Sequence, residues 1–368
     1  MYSLAMPAPR ERNLPLKGRG ALSNPTGRFE RRQCEAVDDG WYQEEVAGFV
    51  PTSIEPDRAR SVITRNDSPD IPFEQSINPY RGCSNGCCYC YARPSHAYLG
   101  LSAGLDFETR LFYKKDAGRL LEEELARPGY VCKPITLGAN TDPYQPIERQ
   151  MRVTREILEV LLRCRHPVTV ITKSALVLRD LDVLAALARE GLAGVGVSVT
   201  TLDADLKRIM EPQAASPVAR LQAVRRLSEA GVPTGVMVAP VIPALTDHEM
   251  EAILVASAGV GARWAGYVLL RLPHEVKDLF REWLGAHHPD RAGHVMSLVR
   301  QMRGGKDYDP GFGTRMKGSG PLAQLLRSRF QLACRRLGLA TGRQQPLTTA
   351  LFQPPRRSRS GAQLALDL

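Results

Sequence analysis

Four of the eight cysteines in this 368-residue chain fall within one run of eight residues, CSNGCCYC, positions 83 to 90. Thiols crowded in this way either staple the chain to itself or hold a metal. The spacing useful to a metal is Cys83-x3-Cys87-x2-Cys90. Three thiolates so placed can wrap one corner of an iron–sulfur cube, for which cysteine is the usual ligand. Gly82 and Gly86 supply the backbone freedom that close wrapping demands. Cys88 stays unligated, because a single residue separates it from Cys90, too few for the same wrap. A four-iron cube with three protein ligands keeps one iron open to an external amine and carboxylate. A structural zinc, with His96 as fourth ligand, is the competing metal reading. A ferredoxin-type carrier needs a fourth cysteine in the run, and a disulfide framework needs an oxidising compartment.

The compartment follows from what the chain lacks. The opening MYSLAMPAPRERNLPLKGRG puts prolines and arginines where a secretory apolar stretch would be. No apolar run approaches the roughly 18 residues that span a bilayer. We expect a cytoplasmic protein with no membrane partner, where clustered cysteines mark metal sites. The formal charge of +10 is unevenly spread: residues 291–368 carry +11 and the first 290 carry −1. Stretches such as RSRFQLACRRLGLATGR and PPRRSRS make that end a solvated helix face with a tail, or a surface that attracts phosphates, as in nucleic acid. No aromatic residues are interleaved with the charges, so the run itself is no base-stacking platform.

Elements must carry the cysteine loop to its partners. Residues 1–70 are polar and rich in Pro and Arg, and we expect an irregular N-terminal extension. Over residues 71–305 short apolar runs alternate with amphipathic stretches. The strand candidates are QSINPY, PITLGAN, VTVITK, AGVGVSVT, PTGVMVAP and AGYVLLRL; the helix candidates are AGRLLEEELARP, TREILEVLLRCR, LRDLDVLAALAREG, PVARLQAVRRLSEAG and TDHEMEAILVASAG. This alternation implies α/β structure with parallel pairing. Alternation within each strand selects between an open doubly wound sheet and a barrel. Val168 and Val170 oppose Thr169, Ile171 and Lys173; Val195 and Val197 oppose Gly194, Gly196 and Ser198; Ile135, Leu137 and Ala139 oppose Thr136, Gly138, Asn140 and Asp142. In YVLLRL the same reasoning sets Val268, Leu270 and Leu272 outward and Tyr267, Leu269 and Arg271 inward. A doubly wound sheet would be apolar on both faces. One greasy and one small or polar face predicts a partial (β/α)6 TIM-type barrel with a ligand cavity at its C-terminal rim. A helical extension over 306–340 and a basic, disordered tail over 341–368 complete the expected organisation.

CSNGCCYC, preceded by NPYRGC, followed by YARPSH and by TDPYQPIE downstream, resembles the signature of the radical S-adenosylmethionine (SAM) superfamily, in the branch related to spore photoproduct lyase. The resemblance covers roughly residues 70 to 300. It implies a [4Fe–4S] cluster on Cys83, Cys87 and Cys90, whose open iron chelates SAM. It further implies one-electron cleavage of SAM to methionine and a 5′-deoxyadenosyl radical that abstracts hydrogen from substrate. A flavodoxin- or ferredoxin-type donor would supply the electron.

The same resemblance assigns expected SAM contacts. Tyr89 and Tyr91 flank the last cluster cysteine, where such proteins place an aromatic residue beside the adenine. Asn140, Thr141 and Asp142 end the second strand, where the methionyl amine is bound; Asp142 before Pro143 equally suits a turn cap. Lys173, inward by parity, needs an anion, either the SAM carboxylate or Asp142. Ser198 matches a small hydroxyl residue near SAM, and Arg271 is a second anion clamp or a substrate contact. The sequence departs from the branch where spore photoproduct lyase has its cysteine hydrogen donor: that position is Ala139, and neither Cys132 nor Cys164 is placed to substitute. The expected activity is a radical SAM reaction on an unidentified substrate, nucleic acid repair or modification among the candidates. The alternative is a metal-stabilised nucleic-acid-binding protein without radical chemistry.

Overall fold

The computed structural model describes residues 15–30, 50–341 and 346–355. Its strands begin with β1 (Ser53–Pro56), β2 (Ile63–Arg65), β3 (Gln75–Ile77), β4 (Tyr80–Arg81) and β5 (Arg110–Tyr113). They continue with β6 (Ile135–Leu137), β7 (Val168–Thr172), β8 (Ala193–Ser198), β9 (Thr234–Val241), β10 (Trp264–Leu269) and β11 (Ala340–Thr341). The six apolar runs yield β3 and β6 to β10, and every amphipathic stretch forms a helix. The helix Pro217–Glu229 illustrates the signals: Ser216 accepts from the Ala219 N–H at 3.2 Å, Pro217 starts the first turn, and Gly231 leaves at φ +78°.

Strands β3 and β6 to β10 lie parallel and in chain order, with β2 antiparallel outside β3 and β11 parallel beside β10. The outward valines Val168, Val170, Val195, Val197, Val236 and Val238 are buried in one cluster with helix residues such as Leu184, Leu187, Val224 and Leu227. Each such burial contributes roughly 1.5–3 kcal/mol. On the inner face the hydroxyls of Thr136 and Thr169 meet at 2.8 Å. The inward glycines of β8 and β9 make room for bulk from β10. A methyl on Gly235 would sit 2.1 Å from an indole carbon of Trp264, and one on Gly196 would meet the far edge of the same ring at 2.9 Å. Met237 covers Gly266 similarly. Side chains thus fill this part of the interior, and a ligand has to sit above them, at the C-terminal rim.

In β10 the expected parity is reversed. Tyr267 and Leu269 are buried, the Tyr267 ring lying 4.7 Å from Phe330 of the helix Gly320–Leu337. Both faces of this run are apolar, so alternation had no contrast to read. A register shift against β9 between Tyr267 and Leu269 changes the pattern beyond it, and the strand ends before Arg271.

The eight-stranded sheet ends at β2 and β11 with no ladder joining them among the described residues. Residues 303–318 cross part of that opening. The Leu269 N–H donates to Met316 O at 2.9 Å, while Arg315 pairs with Asp70 at 2.7 Å and the Gly313 N–H donates to the same carboxylate. Two expected boundaries shift. The 1–70 segment contributes β2 to the main sheet and β1 to a small second sheet of order β1-β5-β4; both strands are too short and polar to show alternation. The expected tail includes an ordered stretch: Gln353 N–H donates to Cys164 O at 2.8 Å, and Phe352 packs 5.5 Å from Tyr130 and 5.2 Å from His166. Residues 342–345 and 356–368 lie outside the described residues. No helix among the described residues is long and apolar enough to cross a membrane.

Candidate functional site

The cysteine loop leaves β4 at Gly82, whose φ of +77° and tight contacts with Leu111 and the Phe107 carbonyl leave no place for a side chain. Its backbone polar groups are then claimed by four other segments. Cys83 N–H donates to Phe107 O at 2.9 Å and Cys88 N–H to Met210 O at 3.1 Å. Gln145 accepts from Ser84 N–H at 2.9 Å, and its amide, with the Thr141 hydroxyl at 2.7 Å, donates to Gly82 O. On the opposite side the fully buried Arg93 guanidinium donates twice to Cys87 O, at 3.0 and 2.8 Å, and pairs with the equally buried Glu108. Glu148 anchors the TDPYQPIE segment from behind, accepting from the Tyr80 hydroxyl and pairing with Arg179.

The donor set fits an iron–sulfur cube. Burial pushes the Cys83 thiol up to about 12, and the nearby Asp142 and Cys90 add to it. Burial also raises Cys87 strongly; Glu211 raises it further, Lys173 lowers it, and Cys90 and Cys83 raise it. Cys90 packs with Cys83 in one buried cluster and with Cys87 in another, which brings the three into one neighbourhood. Burial favours the neutral thiols in the protein alone, and a bound metal would supply the charge that ionises them. Among the described residues no three His, Cys, Asp or Glu side chains come close enough to share a single ion. Three thiols are the donor chemistry that iron–sulfur clusters take. His96 Nε2 lies 2.9 Å from Arg110 O and its ring is edge-on to Phe107, while its buried Nδ1 has no hydrogen-bond partner among the described residues. Cys88 lies among Arg93, Glu108 and Glu211, on the side of the loop facing the core.

Tyr89 and Lys173 meet beside the sulfurs. The Lys173 ammonium lies 5.8 Å from the Tyr89 ring centroid, and it has no salt-bridge or hydrogen-bond partner among the described residues. The anion expected from this strand, Asp142, does not pair with it. The Asp142 carboxylate instead accepts from Tyr144 N–H (2.9 Å), the Thr172 hydroxyl (2.6 Å), Asn85 Nδ2 (3.0 Å) and the backbone N–H of Lys173 (2.8 Å). With four donors satisfied, Asp142 is a knot tying the cysteine loop, the turn after β6 and the end of β7. Its bond from Tyr144 N–H is the turn cap expected of an Asp before a proline. Thr141 likewise braces the loop through Gly82 O. Asn140 is exposed, its backbone N–H donating to the Asn78 side chain and its side-chain amide without a partner among the described residues.

Behind Tyr89 lies a network that sequence reading missed. The Tyr89 hydroxyl donates to Glu211, which also accepts from Thr200 at 2.8 Å and pairs with Arg220. Glu211 and Arg220 are essentially inaccessible to solvent. Burial alone would raise the Glu211 carboxyl; Arg220 and Lys173 outweigh it and hold the group at about 2. Arg220 also donates to the Ser198 carbonyl at 3.1 Å, fixing the end of β8 where the buried Ser198 stands. No local pattern announces this pair, since nine residues separate its members and only the fold brings Tyr89 to them.

Tyr91 and Arg271 form the other half of the rim. Tyr91 donates to Ala139 O, and the Arg271 guanidinium sits 5.0 Å from its half-exposed ring. Arg271 reaches only Met316 Sδ at 3.6 Å and Tyr308 Oη at 3.5 Å, and its buried Nε has no partner among the described residues. The structure thus gathers the cysteines with Tyr89 and Lys173, and Tyr91 with Arg271, while Asp142 and Thr141 serve the loop's shape.

A family model described as the radical SAM superfamily matches residues 77–255. An uncharacterised protein of Mycobacterium tuberculosis is 36% identical over 233 residues, covering 63% of this chain and 68% of that protein. One from Methanocaldococcus jannaschii is 30% identical over 173 residues, 47% of this chain and 62% of that protein. The fold is similar to solved structures of spore photoproduct lyase. The TM-score is 0.56 for the complex with dinucleoside spore photoproduct and 0.55 for a mutant with bound AdoMet and the same dinucleoside. Both are 16% identical and cover 78% of this chain and 80% of the lyase. At that identity the likeness is one of fold.

Proposed function

This chain belongs to the radical SAM superfamily, and on that premise we propose that it cleaves SAM reductively and uses the resulting radical on a nucleic acid substrate. Cys83, Cys87 and Cys90 would hold a [4Fe–4S] cluster, with SAM on its remaining iron. Bound there, that pair supplies one electron to the sulfonium and a 5′-deoxyadenosyl radical that removes hydrogen from a C–H bond. The protein's own residues orient and shield. Lys173 offers its unpaired ammonium to the SAM carboxylate, Tyr89 walls the site with its hydroxyl tied to Glu211, and Ser198 stands at the end of the neighbouring strand. Trp264 and Met237 close the interior below, so reacting groups are confined to the rim.

The observation that carries this reading is the Lys173 ammonium, without a partner among the described residues, beside Tyr89 and the cysteine loop. The substrate proposal rests on the exposed Tyr91 ring under the Arg271 guanidinium, with the exposed Phe312 ring 4.7 Å from Arg315, whose charge is already paired with Asp70, as a second stacking surface. Rings and cations so combined take bases and phosphates. Tyr91 and Arg271 come from separate segments, whereas Phe312 and Arg315 stand three residues apart inside the basic C-terminal region, an aromatic there that the sequence reading overlooked. A reduced flavodoxin- or ferredoxin-type protein of the cytoplasm is the electron source this chemistry needs. After anaerobic reconstitution and reduction, the protein should release 5′-deoxyadenosine from SAM, and deuterium from a labelled oligonucleotide should enter that product. A fully loaded protein that leaves SAM intact would refute the enzymatic reading, and a colourless, zinc-loaded protein would favour the purely binding alternative.

A further inference from the structure

We propose that residues 16–29, which lie outside the span of the family model, are a working part of the cluster site: a strap that holds the cysteine loop in its ligating shape and keeps water from its back. The proposal rests on the reading of that loop as the cluster's seat. Two contacts carry it. Gly20 is seated so closely on the loop that a Cβ there would lie 1.6 Å from Gly86 O and 3.1 Å from Cys88 N. That is backbone on backbone, with no space for a methyl group or a water. Beside it, the N–H groups of Gly20 and Ala21 donate to the two oxygens of Glu108, at 3.0 and 2.8 Å.

Glu108 joins the strap to the ligand loop. Its carboxylate is the ion-pair partner of Arg93, and Arg93 is what grips the Cys87 carbonyl from both guanidinium nitrogens that face it. A chain of contacts therefore runs from the strap through Glu108 and Arg93 to a cluster ligand. Without the strap, the carboxylate oxygens on its far side would turn to water and the dry seat of the loop would open. The remainder of the strap is anchored independently of the loop. Arg19 donates to Val50 O at 2.6 Å and to Thr52 at 2.9 Å, Ser23 to Glu282 at 2.6 Å, and Asn24 exchanges hydrogen bonds with Asp106 at 3.0 Å. Solvent access and hydrogen bonding around the ligands are what tune such clusters, so the strap's place makes Gly20, Ala21 and Glu108 positioning residues for Cys87.

The test compares Gly20→Ala with Gly27→Ala. Both wedge a methyl between strap and domain, but the second meets Leu101 O, at 3.1 Å, away from the loop and from Arg93. In the metal-free full-length protein, alkylation of Cys88 is followed residue by residue by mass spectrometry. Cys88 is assigned no ligand role and is only 1% exposed, so it reports the seat directly. Gly20→Ala should speed its modification by about tenfold or more, as local opening does, and Gly27→Ala should leave the rate close to wild type. In the reconstituted protein Gly20→Ala should also bleach faster under chelator and shift the cluster's midpoint potential. If Gly20→Ala fails to fold, Arg19→Ala, which loosens the strap without overpacking, should raise the Cys88 rate in the same direction. An unchanged Cys88 rate, or equal effects from Gly20→Ala and Gly27→Ala, would overturn the proposal. So would an altered Cys88 rate with unaltered bleaching and potential. A wild type that takes up no iron and sulfide would instead sink the cluster reading and, with it, the strap's role toward a cofactor.

Discussion

Replacing Glu211 by Gln keeps the side chain's size and one hydrogen-bonding oxygen but removes the only carboxylate that pairs with Arg220 among the described residues. Two routes to the magnitude agree. The carboxyl is depressed from an ordinary 4.5 to about 2, which corresponds to roughly 3 kcal/mol. Breaking a buried pair on one side, leaving the other charge uncompensated, costs about 3–5 kcal/mol. The folded value lies below the unfolded one, so this contribution is complete above about pH 4.5 and is lost as pH falls through about 2. Urea unfolding of the reduced, metal-free protein at neutral pH should show the midpoint falling by that amount with an unchanged slope. Adding Arg220→Met to Glu211→Gln should recover a large part of the loss, because the stranded guanidinium is gone. A cost for Glu211→Gln below about 1 kcal/mol, or a double variant no better than the single one, would refute the claim that this pair is a closed, dry charge network.

Lys173→Ala should raise the SAM concentration needed for half-maximal cleavage about 10- to 100-fold, the worth of a charge-assisted hydrogen bond, while iron and sulfide content stays at the wild-type level. Cys88→Ser should retain the iron content that Cys83→Ser, Cys87→Ser and Cys90→Ser each lose, measured by colorimetric iron and sulfide assay. Gly235→Ala forces a methyl into the Trp264 ring and should cost about 1–3 kcal/mol, seen as a lowered melting temperature.

The strands whose two faces differ in chemistry were legible. In β7 and β8, valine alternates with Thr, Gly and Ser, so parity put Lys173 and Ser198 at the rim. In β10 both faces are apolar, and Tyr267 and Leu269 turned out to face the helix Gly320–Leu337. Asp142 was legible as a polar residue at a strand end but not as a knot, because its donors come from Asn85, Tyr144, Thr172 and Lys173, which only folding assembles. The same holds for Glu211 with Tyr89 and for Gly20 with Glu108, pairs 122 and 88 residues apart. The ordered stretch near the C-terminus had one overlooked signal, Leu351 and Phe352 standing together in otherwise polar sequence. Both pack against the main core.

The proposed function requires that three cysteines hold a cluster and leave one iron for SAM. Electron paramagnetic resonance of the anaerobically reconstituted, reduced wild type, before and after SAM is added, reads this out. A [4Fe–4S] signal whose g-values shift on addition is expected, with the shift weakened in Lys173→Ala. A [4Fe–4S] signal that SAM leaves unchanged, or a loaded protein with a different centre, would contradict it.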